Sequence, residues 1–252
     1  MTKDELMIKL HFEKDKESNV KDAEFYLKVK GITFHQKIMT HLGVDFSNEE
    51  SSIEWSKVSD LLRYDKKLRD KIYIYIATLE EYFRAYISNK YESIPNQTFW
   101  LDGRTERAKV KKRILGGEKI FDVLQSIEFG DLINQIKNMS PIDINEMFES
   151  TKEIKLNLDA VRELRNAVSH HVFLIGYEFK PCNIYGDRSN SLKDNIKNLR
   201  QLLPKEYRFG KNSKGGITGE IENCKYDFEF DDQGKRVKRL MLLESKDIIS
   251  IL

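Results

Sequence analysis

The sequence has little cysteine or proline and no long apolar run, and each shortage excludes a class of protein. The two cysteines, Cys182 and Cys224, are isolated, so neither a disulfide framework nor a zinc site is indicated. No stretch approaches the roughly 18 apolar residues of a membrane span, and residues 1–6 lack a signal-peptide pattern. We therefore expect a cytoplasmic protein with no membrane segment, no metal site and no cofactor.

The charges almost cancel, because 43 basic side chains face 41 acidic ones and leave a net charge of +2. Bulk charge therefore does not indicate a nucleic-acid-binding protein, and any basic surface must be local. A composition that is 40% hydrophobic and 33% charged, with only four prolines, is typical of a folded, helix-rich globular protein. We expect most of the chain to fold.

Hydrophobic patterning divides the chain into three regions. Residues 1–50 form an N-terminal extension of mixed character, in which runs at 6–12 and 25–34 favour strands. Residues 51–203 have helical periodicity. Residues 204–252 alternate with period two and predict a small β-rich C-terminal appendage, with strands at 217–221, 226–230 and 237–243 and a turn at 231–234. The predicted fold class is mainly α.

Two long amphipathic helices dominate the middle region. The first carries apolar side chains at helical spacing from Leu68 to Ile87, over roughly six turns. The second should begin near Ser150 or Thr151 and extend past Val168, with two histidines near its end. Shorter helices are predicted at residues 105–115, 118–127, 131–139, 141–148 and 191–203.

The second long helix carries Arg165, Asn166 and His170, a set suited to cleaving RNA by its own 2′-hydroxyl without a metal. His170 can act as general acid or base, and Arg165 offers a planar donor fork to phosphate oxygens. Asn166 shares a face with His170 and can orient it. Arg165 lies about 140° from His170 on an ideal helix, which hints at a site shared between two chains. The adjacent His171 is the alternative histidine.

A plainer interpretation remains open, in which Arg165 is a surface cation and both histidines are helix-end residues favoured by the macrodipole. The isolated string is a weak motif. The sequence context strengthens it, because residues 164–171 resemble the LRNxxAHH signature of the bacterial abortive-infection (Abi) proteins. These are a branch of the HEPN ribonuclease superfamily, whose pattern is Arg, four to six residues, then His.

The first long helix also resembles that family. Residues 64–69 and 79–84 are similar to its YxxDxxLR…IExxxR arrangement, and the whole resemblance spans residues 61–173. It implies a HEPN-like helical bundle in which Glu80 and Arg84 support the catalytic residues from a neighbouring helix, with His171 in a further supporting role. The alternative for Glu80 and Arg84 is an ordinary i, i+4 ion pair.

The resemblance also implies an activity and partners. It predicts a metal-independent endoribonuclease that acts on RNA as a homodimer and serves as an abortive-infection or toxin effector in antiviral defence. A related toxin group carries a tyrosine that its antitoxin modifies, where this chain has Val172 and Phe173. We therefore expect any antidote to be an RNA or a different protein, and a bound guide RNA stays open.

A local basic cluster lies beside Phe99 and Trp100 and is a candidate for RNA binding, because cations can follow phosphates while rings stack on bases. Its candidate residues are Arg104, Arg107, Lys111, Lys112 and Arg113. The alternative is a solvated helix face. Residues 235–239 form a second basic stretch, which either resembles the first or protects a sheet edge.

Two other functions remain as alternatives. A non-catalytic HEPN module would bind RNA or nucleotide through the same cationic cleft. A regulator would bind a protein partner through the C-terminal sheet. His11, His35 and His41 show no ligand spacing and no acidic partners, and no function is assigned to them.

Overall fold

The computed structural model describes residues 1–12, 16–92, 105–148, 154–184, 187–209 and 215–251. These residues form twelve helices and three two-stranded sheets, so the chain is mainly α, as predicted. The sheets are small and peripheral, and the helices supply most of the core.

The N-terminal region is helical rather than mixed. Its elements are α1 (Lys3–Ile8), α2 (Lys16–Lys30), α3 (Ile32–His41) and the two-residue strand β1 (Leu10–His11), which pairs in parallel with β2 (Ile53–Glu54). The strand predicted at residues 25–34 is wrong, and the one at 6–12 shrinks to β1. The reason in α2 is that its buried side chains, Ala23 and Leu27, are four residues apart, which is a helical and not a strand spacing.

The predicted first long helix is part of α4 (Trp55–Tyr91), which has 37 residues and is therefore about 55 Å long. One side of α4 is buried along its whole length, from Trp55 through Leu68 and Leu79 to Ile87. Helices from the N-terminal, middle and C-terminal regions all pack against this helix, which makes α4 the centre of the structure.

The remaining helices of the middle region are confirmed at or near their predicted positions, except that the predicted start of the second long helix at Ser150 or Thr151 lies outside the described residues. They are α5 (Thr105–Leu115), α6 (Ile120–Gln125), α7 (Phe129–Asn138), α8 (Pro141–Phe148), α9 (Ile154–Ser169) and α10 (Leu192–Leu202). Pro141 is the first residue of α8, where its missing N–H costs nothing. The Ser191 hydroxyl caps α10 by accepting a hydrogen bond from the Asp194 N–H at 3.0 Å. A hairpin of β3 (Cys182–Ile184) and β4 (Asp187–Ser189) was not predicted.

The C-terminal region contains two helices and one antiparallel hairpin, so it contains β-structure without being β-rich. Its elements are α11 (Lys205–Phe209), α12 (Gly216–Asn223), β5 (Tyr226–Phe230) and β6 (Arg236–Leu240). The strand predicted at residues 217–221 is wrong, because Ile217 and Ile221 are buried at the i, i+4 spacing of α12. The hairpin and its turn at Gly234, with φ 72°, are confirmed.

One hydrophobic core contains side chains from all three regions that the patterning distinguished. Leu6 and Leu10 enter it from the N-terminal side, and Met241 and Ile251 enter it from the C-terminal side. The Tyr64 hydroxyl of α4 accepts a hydrogen bond from the Ile249 N–H at 2.7 Å. Both ends of the described chain are therefore fixed to α4 and its neighbours.

Candidate functional site

The histidines follow the end of α9 in a Schellman turn. The His171 N–H donates to the Val168 carbonyl at 3.2 Å, and the Val172 N–H donates to the Ala167 carbonyl at 3.3 Å. His171 has φ 53°, and among the described residues it is the only non-glycine residue in the left-handed conformation. Glycine is the usual residue at this position, and such outliers cluster at functional sites.

The segment after this turn is held by a buried carboxylate of α4. Asp65 Oδ1 accepts hydrogen bonds from the Leu174 N–H at 2.7 Å and the Ile175 N–H at 3.3 Å. Its other oxygen, Oδ2, accepts from Arg69 Nη2 at 2.5 Å. Burial raises the pKa of the Asp65 carboxyl, while the Arg69 cation and the two N–H donors oppose that rise. The position of the histidine turn therefore depends on α4.

A cleft of about 510 Å³ lies between α4 and the end of α9. Its lining residues are Arg69, Asp70, Tyr73, Val168, Ser169 and His171. Arg69 is 4% exposed, and its Nε has no hydrogen-bond partner among the described residues. An imidazole and a partly unsatisfied guanidinium thus border one cavity.

The electrostatic environment of the cleft is locally positive, although the whole chain is nearly neutral. Burial and the neighbouring positive charges of Arg69 and Lys66 lower the pKa of the Lys30 ammonium in α2. Lys66 pairs with Asp70 at 2.5 Å, and both of these side chains are exposed. Three cations, Lys30, Lys66 and Arg69, and two carboxylates, Asp65 and Asp70, thus leave a small positive excess near the cavity, which favours an anionic ligand.

The structure separates the three catalytic candidates of α9. Arg165 is half-buried and precedes the cleft residues Val168 and Ser169 by three and four positions. This spacing places Arg165 on the cleft side of α9. Asn166 and His170 are exposed on another face. None of the three side chains has a hydrogen-bond or ion-pair partner within the described ranges. His171, rather than the favoured His170, therefore shares the cleft side with Arg165.

Glu80 and Arg84 form the expected ion pair, and Arg84 is mostly buried. Arg84 also donates to two carbonyls at the end of α6, those of Leu124 and, at 2.9 Å, Ile127. The pair thus joins α4 to α6. Among the residues that the structure describes, it forms no hydrogen bond or ion pair with the catalytic candidates of α9.

The predicted basic cluster is only partly within the described structure. Arg104 lies outside the described residues, as do Phe99 and Trp100. Arg107 lies on α5, where only its backbone is described. Lys111 and Lys112 are exposed on α5. These two lysines are the cluster's exposed cations in the described part of the chain.

The fifth member of that cluster, Arg113, contacts other protein groups. It forms an ion pair with Glu118 at 2.6 Å and donates to the Ser126 hydroxyl at 2.5 Å. The same ion pair lowers the pKa of the Glu118 carboxyl. Arg113 therefore connects α5 to α6.

Sequence patterning missed an acidic partner of His41. His41 Nε2 lies 2.7 Å from Asp247 Oδ1, and the Asp247 side chain is almost fully buried. His41 also borders a second cavity, of about 740 Å³, between α3 and the segment that follows the histidine turn. The two residues are 206 positions apart, so no local spacing could have paired them.

The described residues contain no group of three or more histidine, cysteine or acidic side chains placed to hold a metal ion. Within the same ranges, no helix is both long enough and apolar enough to cross a membrane.

Comparison of the chain with protein-family models, curated proteins and solved structures gives no match. The functional assignment therefore depends on the motif residues and on the geometry of the cleft.

Proposed function

We propose that this protein is a metal-independent endoribonuclease whose active site is the cleft between α4 and the end of α9. The observation that supports the proposal is that His171, held in a left-handed conformation, borders the same cavity as the Arg69 guanidinium. RNA supplies its own nucleophile in the 2′-hydroxyl. The protein then needs to supply a proton carrier and a cation beside the phosphate.

In this mechanism the 2′-oxygen attacks the adjacent phosphorus and the bond from phosphorus to the 5′-oxygen breaks. His171 accepts the proton of the 2′-hydroxyl or donates one to the leaving 5′-oxygen. Arg165 and Arg69 balance the charge that develops on the phosphate oxygens. The products are a 2′,3′-cyclic phosphate and a 5′-hydroxyl.

A homodimer is part of the proposal, because the exposed His170 and Asn166 lie outside the cleft of their own chain. Tyr73 and Ile74 are 56% and 54% exposed on α4 beside the cleft. This apolar pair offers a packing surface to a second copy, and a two-fold axis there would bring two histidine turns together.

The biological role that we propose is that of an abortive-infection or toxin effector, in which RNA cleavage stops growth of the infected bacterial cell. A cytoplasmic location follows from an RNA substrate. Val172 and Phe173 follow the histidines, so no tyrosine is present there for an antitoxin to modify. We therefore propose that any antidote is an RNA or a different kind of protein.

The test is cleavage of end-labelled single-stranded RNA in EDTA, with the product ends identified chemically. We expect cyclic phosphate ends, and we expect His171→Ala and Arg165→Ala each to slow cleavage by about 100-fold or more. Lys21→Ala, which removes an exposed cation of α2, is the control and should cleave normally. Thermal unfolding of each variant verifies that the fold survives.

The outcomes separate the alternatives. Loss of cleavage in His170→Ala, with His171→Ala active, would place the chemistry on the outer face and require the second chain. Cleavage that persists in His171→Ala, Arg165→Ala and His170→Ala would refute the site. Tight RNA binding by the wild-type protein without cleavage would identify a non-catalytic RNA-binding or nucleotide-binding module.

A further inference from the structure

The C-terminal hairpin has its aromatic and its acidic side chains on opposite faces. Its register pairs Phe228 with Lys238 and Phe230 with Arg236, so these four side chains share one face. Asp227 and Glu229 alternate with them and project from the other face. A hairpin with one packed face normally packs its apolar side and exposes its polar side.

The acidic face is the one that packs against α4. Asp227 contacts Lys67 Nζ at 3.0 Å and Arg63 Nη1 at 3.3 Å. Arg239, on the same face of the hairpin, forms a two-pronged ion pair with the buried Asp60, at 2.6 and 2.8 Å. The hairpin is therefore attached to the helix by charged groups, and its aromatic face is directed outward.

The outward face combines exposed rings with cations. Phe228 and Phe230 are 52% and 73% exposed. The Arg236 guanidinium lies 4.0 Å from the Phe228 ring centroid, and Lys238 Nζ lies 3.8 Å from that of Tyr226. We call Tyr226, Phe228, Phe230, Arg236 and Lys238 the aromatic-basic face.

We propose that the aromatic-basic face binds single-stranded RNA, with bases stacked on its rings and phosphates on Arg236 and Lys238. Alternate residues of a strand are about 6.8 Å apart, so the Phe228 and Phe230 rings can contact bases of a single strand that is extended rather than helically stacked. Rings interleaved with cations, without a carboxylate among them, supply the stacking and phosphate contacts by which proteins hold a single strand. The choice of RNA over DNA rests on the proposed function.

The face lies close to the cleft along α4. Lys67, which also donates to the Tyr226 carbonyl at 2.7 Å, precedes the cleft residue Asp70 by three positions, or about 4.5 Å along the helix axis. Both surfaces are thus fixed to one rigid element. We infer that an RNA strand several nucleotides long can contact both.

The test is fluorescence anisotropy with a fluorescein-labelled oligouridylate of about 12 nucleotides that carries 2′-O-methyl groups throughout. That probe lacks the 2′-hydroxyl and cannot be cleaved by the proposed reaction, so binding is measured independently of catalysis. We expect Phe228→Ala/Phe230→Ala to weaken binding by about 30-fold or more, because two stacking rings are removed. Phe230→Trp should retain affinity, and Phe25→Ala, which removes a phenylalanine of α2 that is 60% exposed, is the matched control.

A second measurement uses salt. Arg236→Gln/Lys238→Gln should make the dependence of log affinity on log salt shallower by about 0.7 for each phosphate that the variant no longer neutralises. Because the substituted side chains are exposed, circular dichroism and thermal unfolding of all these variants should match the wild type.

Three results would overturn the proposal: unchanged affinity in the double phenylalanine variant, equal affinity for a duplex, or a loss of self-association without a change in RNA affinity. The last would make the face a protein contact. Binding that falls in the hairpin variants while wild-type protein never cleaves RNA would leave this proposal intact and refute the proposed activity. Cleavage that needs His171, together with normal binding by the hairpin variants, would refute this proposal and support the proposed activity.

Discussion

Two ion pairs on α4 have the same i, i+4 spacing and opposite environments, which makes them a matched test of burial. Asp65 and Arg69 are 1% and 5% exposed, whereas Lys66 and Asp70 are 59% and 57% exposed. We predict that Asp65→Ala destabilises the protein strongly and that Asp70→Ala does not. The spacing and the helix are common to both substitutions, so the difference measures the effect of burial and of the additional contacts of Asp65.

The magnitude follows from what Asp65→Ala leaves behind. The Arg69 guanidinium would stay buried without its counter-ion, a situation that costs about 3–5 kcal/mol. The N–H groups of Leu174 and Ile175 would lose their acceptor as well. At about 2–4 °C per kcal/mol for a chain of this size, the melting temperature should fall by about 6–20 °C. An exposed pair such as Lys66–Asp70 is worth less than about 1 kcal/mol.

Urea and thermal unfolding followed by circular dichroism measure both effects. Asp65→Ala/Arg69→Met should recover part of the loss, because it removes the uncompensated charge while the two N–H donors stay unsatisfied. The reasoning fails if Asp65→Ala costs less than about 1 kcal/mol, or no more than Asp70→Ala.

Three further predictions concern the turn, the core and alkaline pH. His171→Gly should stabilise the fold by about 0.5 kcal/mol in thermal unfolding, since glycine suits the left-handed conformation. The same variant should abolish RNA cleavage, because it lacks the imidazole. A loss of stability above about 2 kcal/mol would contradict the first expectation. Tyr64→Phe should cost about 1–3 kcal/mol in urea, because the buried N–H of Ile249 loses its acceptor. Burial raises the pKa values of the Cys224 thiol and the Tyr75 hydroxyl to about 12, so the folded state retains protons that the unfolded chain releases. Stability should then be complete below about pH 8 and fall toward pH 12 by up to about 1.4 kcal/mol per pH unit per group. A urea midpoint at pH 10.5 equal to that at pH 8 would refute this.

The long helices could be predicted because their apolar spacing repeats over many turns. The segment from Leu68 to Ile87 has one interpretation, and it lies within α4. The short run at residues 217–221 has too few positions to separate period two from period 3.6, and Ile217 and Ile221 fit both. Residues 217–221 are helical because of how they pack against the rest of the fold, and the local sequence does not contain that information.

The sequence motif selects residue types for the candidate site but not the geometry in which the structure places them. The motif selects Arg165 and the two histidines, yet its angles assume that α9 continues through His171. The helix ends at Ser169, and the left-handed turn at His171 changes the direction of the chain. Contributions from distant residues, such as Arg69 in the cleft, depend on how α4 and α9 pack.

The contacts of α4 also set the order in which the site can form during synthesis. The hydrogen bond between Asp65 and Leu174 cannot form until 109 further residues have been synthesised. The one between Tyr64 and Ile249 requires 185 further residues. At about 5–20 residues per second, the second interval lasts roughly 10–40 s on the ribosome. Under the proposed function, each newly made chain would gain its active cleft only after Leu174 has left the ribosome and reached Asp65 of α4.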